Sequence, residues 1–238
     1  MTGAPVTANG GGAAVGVAVP AAGLGERMGG VRKQYLELAG EPVLLWSIRP
    51  FLVLRDVVAV AVALPKDDLT EPPDFLLDLD PRVVLVPGGD TRRDSVWSAL
   101  QALPGDAGTV VVHDGARPLV SKEVIDECIR VAREGVGAVA GCPAVDTLKR
   151  VREDRRIVDT PDRTELWHAQ TPQAFPRSVL ENAYMRAIAE DWPATDDSGL
   201  VERAGGEVVM VSSPARNLKV TRPEDLALAE LLLDLGRP

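Results

Sequence analysis

Short runs of valine and alanine alternate with stretches of helical length, and this alternation constrains the fold more than any other feature of the chain. Apolar runs of this kind suit strands buried on both faces, and the amphipathic stretches between them suit helices that cover a mainly parallel sheet. The strands are predicted at 15–20, 57–64, 83–86, 109–112, 137–142 and 208–211. The helices are predicted at 42–54, 92–103, 121–134, 176–190, 196–204 and 223–233, the last capped by Thr221 with Pro223, Glu224 and Asp225 in its opening turn. The expected class is therefore α/β, and chemistry is sought in the loops that leave the carboxyl ends of the strands.

The first such loop is Ala21-Ala22-Gly23-Leu24-Gly25-Glu26-Arg27-Met28, followed by Lys33-Gln34-Tyr35. Small residues let backbone N–H groups approach an anion, and Arg27 and Lys33 supply countercharge of the kind a triphosphate needs. Met28 stands where a dinucleotide-binding fingerprint would have its third glycine, and no Gly-Lys-Ser/Thr follows, so the loop is neither a Rossmann fingerprint nor a Walker A motif. A glycine-rich connection with two solvated charges is the plain alternative.

The third strand runs into Gly88-Gly89-Asp90-Thr91-Arg92-Arg93-Asp94-Ser95, which can wrap a base or ribose or can be a loop with an ordinary helix cap at Asp90 or Thr91. The fourth runs into His113-Asp114-Gly115-Ala116-Arg117. Asp114, directly after a buried strand, can meet a metal or a sugar hydroxyl, and Arg117 can meet an acidic group, whereas His113 reads as a packed structural residue. Further on, Thr195-Asp196-Asp197-Ser198 begins a helix, and Lys219 stands out because apolar residues flank it.

Residues 143–175 break the alternation. Segments 145–151 and 156–158 flank a turn-prone 153–155, which predicts a projecting two-stranded arm, standing in solvent or packed on another subunit. Trp167 and Phe175 are expected to be packing anchors.

Composition restricts the partners. The 238 residues are 45% hydrophobic and 26% charged, enough for one domain over 15–238 after an uncharged leader at 1–14. A net charge of −9 argues against a nucleic-acid surface, so an anionic ligand must be met by local cations. The first apolar run is too short to cross a membrane, and Cys128 and Cys142 have neither disulfide-scaffold nor zinc spacing, so a cytoplasmic location is expected.

Taken together, 20–28, 33–35, Gly88-Gly89-Asp90 with Arg92 and Ser95, 113–118, Asp146-Thr147, Asp162-Arg163, 166–173, Thr195-Asp196 and 219–225 resemble the 2-C-methyl-D-erythritol 4-phosphate cytidylyltransferase family. The resemblance implies a Rossmann-like nucleotidyltransferase fold whose β-arm, at about 143–173, interlocks two subunits. It also implies that CMP passes from CTP to the methylerythritol phosphate with Mg²⁺, or another divalent cation, held mainly by the CTP phosphates, and it assigns no protein ligand to the metal. Arg27, Lys33 and Lys219 would be catalytic on the triphosphate, while Ala21, Ala22, Gly23, Gly89, Asp90, Ser95 and Gly115 would bind CTP. Asp114, Arg117, Thr171, Thr195 and again Lys219, with Thr147 and Arg163 from a partner's arm, would hold the sugar phosphate. Gly115 stands where alanine is frequent, Asp197 where glutamate can occur, and Val31-Arg32 where a proline often precedes the lysine. A cytidylyltransferase for another polyol phosphate such as ribitol 5-phosphate, a nicotinamide-dependent oxidoreductase and a non-catalytic nucleotide-binding module are the rival readings.

Overall fold

The structure, a computed structural model, describes residues 14–23 and 32–236. Arg27 and nearly all of the expected leader fall outside the described residues. In chain order the elements are β1 (Val15–Pro20), β2 (Glu37–Leu38), β3 (Glu41–Pro42), α1 (Val43–Leu52), β4 (Val57–Leu64), α2 (Asp67–Thr70), β5 (Val83–Pro87), α3 (Arg92–Ala102) and β6 (Thr109–Val112). They continue with α4 (Lys122–Arg133), β7 (Gly137–Pro143), β8 (Arg150–Val151), β9 (Ile157–Asp159), β10 (Trp167–Pro176), α5 (Arg177–Ala189), α6 (Asp197–Arg203), β11 (Val208–Ser212) and α7 (Pro223–Gly236). Among the described residues, no helix is long and apolar enough to cross a membrane.

Seven strands form one sheet in the order β11-β7-β10-β6-β1-β4-β5. All neighbours are parallel except β10, which runs antiparallel between β6 and β7. The chain leaves β1 toward β4 and β5 on one side and then crosses to β6 on the other. β1 and β6 therefore flank the point where the strand order reverses, and a crevice opens there beyond their carboxyl ends.

Side-chain size along β1 and β4 sets the spacing of the layers. Val15, Val17 and Val19 with Val60, Val62 and Leu64 pack under Leu44, Ile48 and Phe51 of α1 and Ile125 and Cys128 of α4. The opposite face presents Ala18, Ala61 and Ala63 to Val96 and Leu100 of α3. A Cβ added at Gly16, on that same face, would stand 2.8 Å from Leu103 Cδ1. This small-residue face lets α3 lie close to the sheet, which brings its first turn over the β1 exit. Thr91 caps that turn: its side chain accepts from Asp94 N, and the Asp94 carboxylate accepts from Thr91 N, a capping box.

Most predicted strands and helices stand within a few residues of their expected ends, and three readings change. β10 was expected as a polar continuation of the arm, yet its second half is buried in the sheet. Phe175 is fully buried, but Trp167 at the far end of the strand is 39% exposed and is only partly packed among the described residues. Thr221 is not the cap of α7. Instead the Asp225 carboxylate reaches back to accept from the Thr221 and Arg222 N–H groups at 2.8 and 2.9 Å. The arm itself is the β8–β9 hairpin, turned by Arg155 at φ +64°. Both cysteines are free, and burial pushes the Cys128 thiol up to about 12.

Gly16→Val should overfill the α3 face and cost about 1–3 kcal/mol of stability. Urea unfolding of the variant checks this, and an unchanged midpoint would mean that α3 does not need the small-residue face.

Candidate active site

Two adjoining pockets open at the carboxyl ends of the strands. The first, about 290 Å³, lies between the β1 exit (Ala21, Ala22, Gly23) and the β5 exit (Gly89, Asp90, Ser95), with Lys33 on one flank and Asp114, Gly115 and Lys219 on the other. The second, about 280 Å³, is lined by Arg117, Ala169, Gln170, Thr171, Gln173, Thr195 and Asp196. Arg92, Asp114 and Lys219 line both.

The walls of the first pocket are held close by glycine. A Cβ on Gly88 would stand 2.1 Å from Ala22 Cβ, so only glycine there lets the β5 exit lie against the β1 exit. Ser95, from the first turns of α3, accepts from Gly89 N at 3.2 Å and so fixes the loop. Gln34 Nε2 donates to the Ala21 carbonyl at 2.8 Å, tying the turn that carries Lys33 to the β1 exit. Behind it, Arg32 pairs with Asp68, and Tyr35 donates to the same carboxylate at 2.5 Å.

Asp114 is the electrostatic centre of both pockets. Arg92 Nε lies 3.1 Å from its Oδ1 and Lys219 Nζ 2.6 Å from its Oδ2, with Arg117 Nε at 3.9 Å. Burial would raise the carboxyl pKa, but Arg92 and Lys219 outweigh it and hold Asp114 well below the usual carboxylate range. Burial likewise opposes the charge of Arg92, yet Asp197 and Asp114 together raise it above its ordinary value. Arg117 donates to the Asn217 carbonyl at 2.8 Å, while its buried Nε has no hydrogen-bond partner. An anionic group in the second pocket therefore meets cations that are already oriented.

His113 is fully buried and serves the framework. Its Nε2 lies 3.1 Å from the Arg117 carbonyl, so this nitrogen carries the proton and Nδ1 accepts from the Thr171 hydroxyl, also at 3.1 Å. That hydroxyl in turn accepts from Asp114 N at 3.0 Å. Thr171 lines the second pocket, but its hydroxyl proton is committed to His113. A register shift in β10 between Ala169 and Gln173 turns Gln170 and Thr171 toward this network.

The structure thus gathers every described nucleotide-side residue expected from the sequence (Ala21, Ala22, Gly23, Lys33, Gly89, Asp90, Ser95, Gly115 and Lys219), and beside them Asp114, Arg117, Thr171 and Thr195. Thr147 and Arg163 stand on the exposed arm, outside the described lining of either pocket, with Arg163 donating to the Val145 carbonyl. Arg92, Gln34, Gln173, Asp197 and Asn217 had no role assigned from the sequence. Arg92, Gln34, Gln173 and Asp197 stand inside segments that are conspicuous in the sequence (88–95, 33–35, 166–173 and 195–198), whereas Asn217 carries no local signal. Asn217 works by tertiary reach, donating to Gln170 Oε1 and the Thr171 carbonyl, both at 2.9 Å, and so binding the Lys219 segment to β10.

A parallel sheet with its crevice at the strand reversal, a small-residue cleft carrying a lysine, and a second cationic pocket sharing three charged residues define an α/β nucleotidyltransferase. The sequence model of the 2-C-methyl-D-erythritol 4-phosphate cytidylyltransferase family matches residues 15–235. The chain belongs to that family and is a cytidylyltransferase of isoprenoid biosynthesis, acting on 2-C-methyl-D-erythritol 4-phosphate. It is similar to the enzymes of that name from Symbiobacterium thermophilum, 43% identical over 92% of this chain and 93% of the relative, and Nostoc punctiforme, 39% identical over 90% and 96%. Among solved structures it resembles the 4-diphosphocytidyl-2C-methyl-D-erythritol synthase of Anaerococcus prevotii, with TM-score 0.83, 29% identity and 94% and 97% of the two chains covered. It also resembles the Thermus thermophilus cytidylyltransferase, with TM-score 0.76, 33% identity and 93% and 98% covered.

Burial lowers the His113 pKa from 6.5 to about 4. Because the folded value lies below the unfolded one, the stability it contributes is complete above pH 6.5 and is lost as the pH falls toward 4, in all about 3 kcal/mol. The contribution of Asp114, also lowered, is lost only below the ordinary carboxylate range. His113→Gln should therefore flatten the stability profile between pH 6.5 and 4 in denaturant titrations, and a profile parallel to that of the parent would contradict the buried neutral imidazole.

Proposed function

We propose that CTP occupies the first pocket and the sugar phosphate the second, and that a phosphate oxygen of the sugar attacks the α-phosphorus of CTP in line. A P–O bond forms to the incoming phosphate, the bond to the β-phosphate bridging oxygen breaks, and pyrophosphate leaves. Both reactants are anionic, so their repulsion is the main barrier, and charge neutralisation with positioning supplies the catalysis. The single observation supporting this reading is that Arg92, Asp114 and Lys219 belong to both pockets, where a bond between two ligands would form.

In this reading Lys33, Lys219 and Arg27 neutralise the triphosphate, with Arg27 outside the described residues. Ala21, Ala22, Gly89, Asp90 and Ser95 enclose the cytosine, Gly115 lies beside the ribose, and Gly23 completes the CTP-binding wall. Asp114, Arg117, Thr195 and Lys219 hold the sugar phosphate, and Thr171, its hydroxyl proton given to His113, shapes the pocket wall beside it. The attacking phosphate is ionised at neutral pH, so no general base is required.

Magnesium fits as an ion carried on the triphosphate. Among the described residues no three His, Cys, Asp or Glu side chains gather as a metal-binding set, and Asp114 is already paired with Arg92 and Lys219. CTP oxygens would supply most of its ligands, and the ion adds positive charge at the phosphates.

The arm suits a homodimer. Val145, Val151, Ile157 and Val158 are all more than half exposed within one chain, which is costly unless a second copy covers them. Such an arm would carry Thr147 and Arg163 to the partner's second pocket. Free thiols and the use of CTP fit a cytoplasmic enzyme.

Lys33→Ala and Arg27→Ala should each lower turnover by about a hundredfold or more, followed as pyrophosphate release with CTP, Mg²⁺ and the sugar phosphate. Near-normal turnover in both would sink the triphosphate assignment. Arg163→Ala should chiefly raise the apparent constant for the sugar phosphate, and an unchanged value would argue against a site shared through the arm. Running the same assay over a panel of polyol phosphates, ribitol 5-phosphate included, tests substrate choice.

A further inference from the structure

Asp197, in the first turn of α6, is a completely buried carboxylate outside the described lining of both pockets. Its Oδ1 accepts from the Tyr184 hydroxyl at 2.5 Å, and its Oδ2 accepts from Arg92 Nη2 at 2.8 Å. Arg92 in turn reaches Asp114 Oδ1, and Lys219 reaches Asp114 Oδ2. One line of partners, alternating in charge after the tyrosine, therefore runs Tyr184, Asp197, Arg92, Asp114, Lys219, beginning in the core and ending between the two pockets.

Each end of Asp197 is itself held. Tyr184 is fully buried and stacks on Trp97 of α3, ring centroids 5.8 Å apart. The turn bearing Asp197 is fixed by Gln173 Oε1, which accepts from Ser198 N at 2.9 Å, and by Gln173 Nε2, which donates to Asp196 Oδ2 at 3.0 Å.

We propose that Asp197, backed by Tyr184, is a positioning residue for cytidylyl transfer: it keeps the Arg92 guanidinium divided between two carboxylates, which leaves Asp114 available to Lys219 and to the sugar phosphate. The reason lies in guanidinium geometry. A planar fork with one carboxylate partner prefers a bidentate pair. Without the charge at 197, Arg92 turns both arms onto Asp114, displaces Lys219 from its Oδ2 and occupies the second pocket. The inference rests on the reading that Asp114 serves the sugar phosphate.

Steady-state pyrophosphate release by the full chain tests it, with CTP and sugar phosphate varied separately. Asp197→Asn, close in shape and lacking the charge, should raise KM for the sugar phosphate about tenfold or more while KM for CTP moves less than about threefold. Asp197→Glu, which restores the charge, should recover part of that loss. Tyr184→Phe, which keeps every charge, should shift the same constant in the same direction by about threefold. A lowered melting temperature with a parental KM in Asp197→Asn would reduce Asp197 to a stability pair and overturn the proposal. If that variant does not fold, a parental KM in Tyr184→Phe overturns it. Asp114→Asn separates the two layers: a parental sugar-phosphate KM there removes the reading of the site itself, whereas a raised one beside an unaffected Asp197→Asn removes the positioning role alone.

Discussion

The ion pairs around Asp114 organise the carboxyl edge of the sheet. A buried carboxylate is costly unless cations and hydrogen bonds surround it, and removing one partner of such a cluster leaves an uncompensated charge. Asp114 is met by Arg92 from α3 and Lys219 from the segment after β11, with Arg117 nearby from its own loop. Segments far apart in the chain are thus required to converge on one side chain. Two anionic substrates need such a place, where positive charge is concentrated and already oriented, even though the protein as a whole is acidic.

Convergence of this kind is possible because the strand order reverses beside β1. The exits of β1 and β6 diverge there, and the close approach of α3, allowed by Gly16, Ala18, Ala61 and Ala63, carries Arg92 and Ser95 across the gap. β10 completes the site from the opposite direction. As the antiparallel member of the sheet it enters at the carboxyl edge, and its register shift turns Gln170 and Thr171 onto His113, Asp114 and Asn217. The same strand begins at the exposed arm, so the second pocket and the surface that suits a partner share one continuous backbone.

Legibility in the sequence followed the range of the interaction responsible. Strands such as Val57–Leu64 and helices such as Arg92–Ala102 are specified by residue patterns within one segment, and they stand where the pattern puts them. The polar first half of β10 makes the segment read as part of the arm, and only pairing with β6 and β7 makes its second half a buried strand. The cap of α7 was misassigned between Thr221 and Asp225, four residues apart and mutually hydrogen-bonded, because both residue types suit a helix start. Trp167 reads as a packing anchor by residue type, but burial of an aromatic depends on what faces it, and the described residues cover it only in part.

The loops after β1, β5 and β6 stand out by composition, with glycine and small residues beside Arg, Lys and Asp, and the structure brings all three to the two pockets. The sequence by itself therefore determined the α/β class, the family and the loops that line the first pocket. Tertiary structure alone decided how the charges are divided. Asp197 and Asn217 lie a hundred or more residues from the partners they hold, Arg92 and Arg117, and their hydrogen bonds exist only once sheet and helices bring those backbones together. Local pattern cannot encode such contacts, because the energy of a buried pair depends on distance, orientation and exclusion of water, which no single segment possesses.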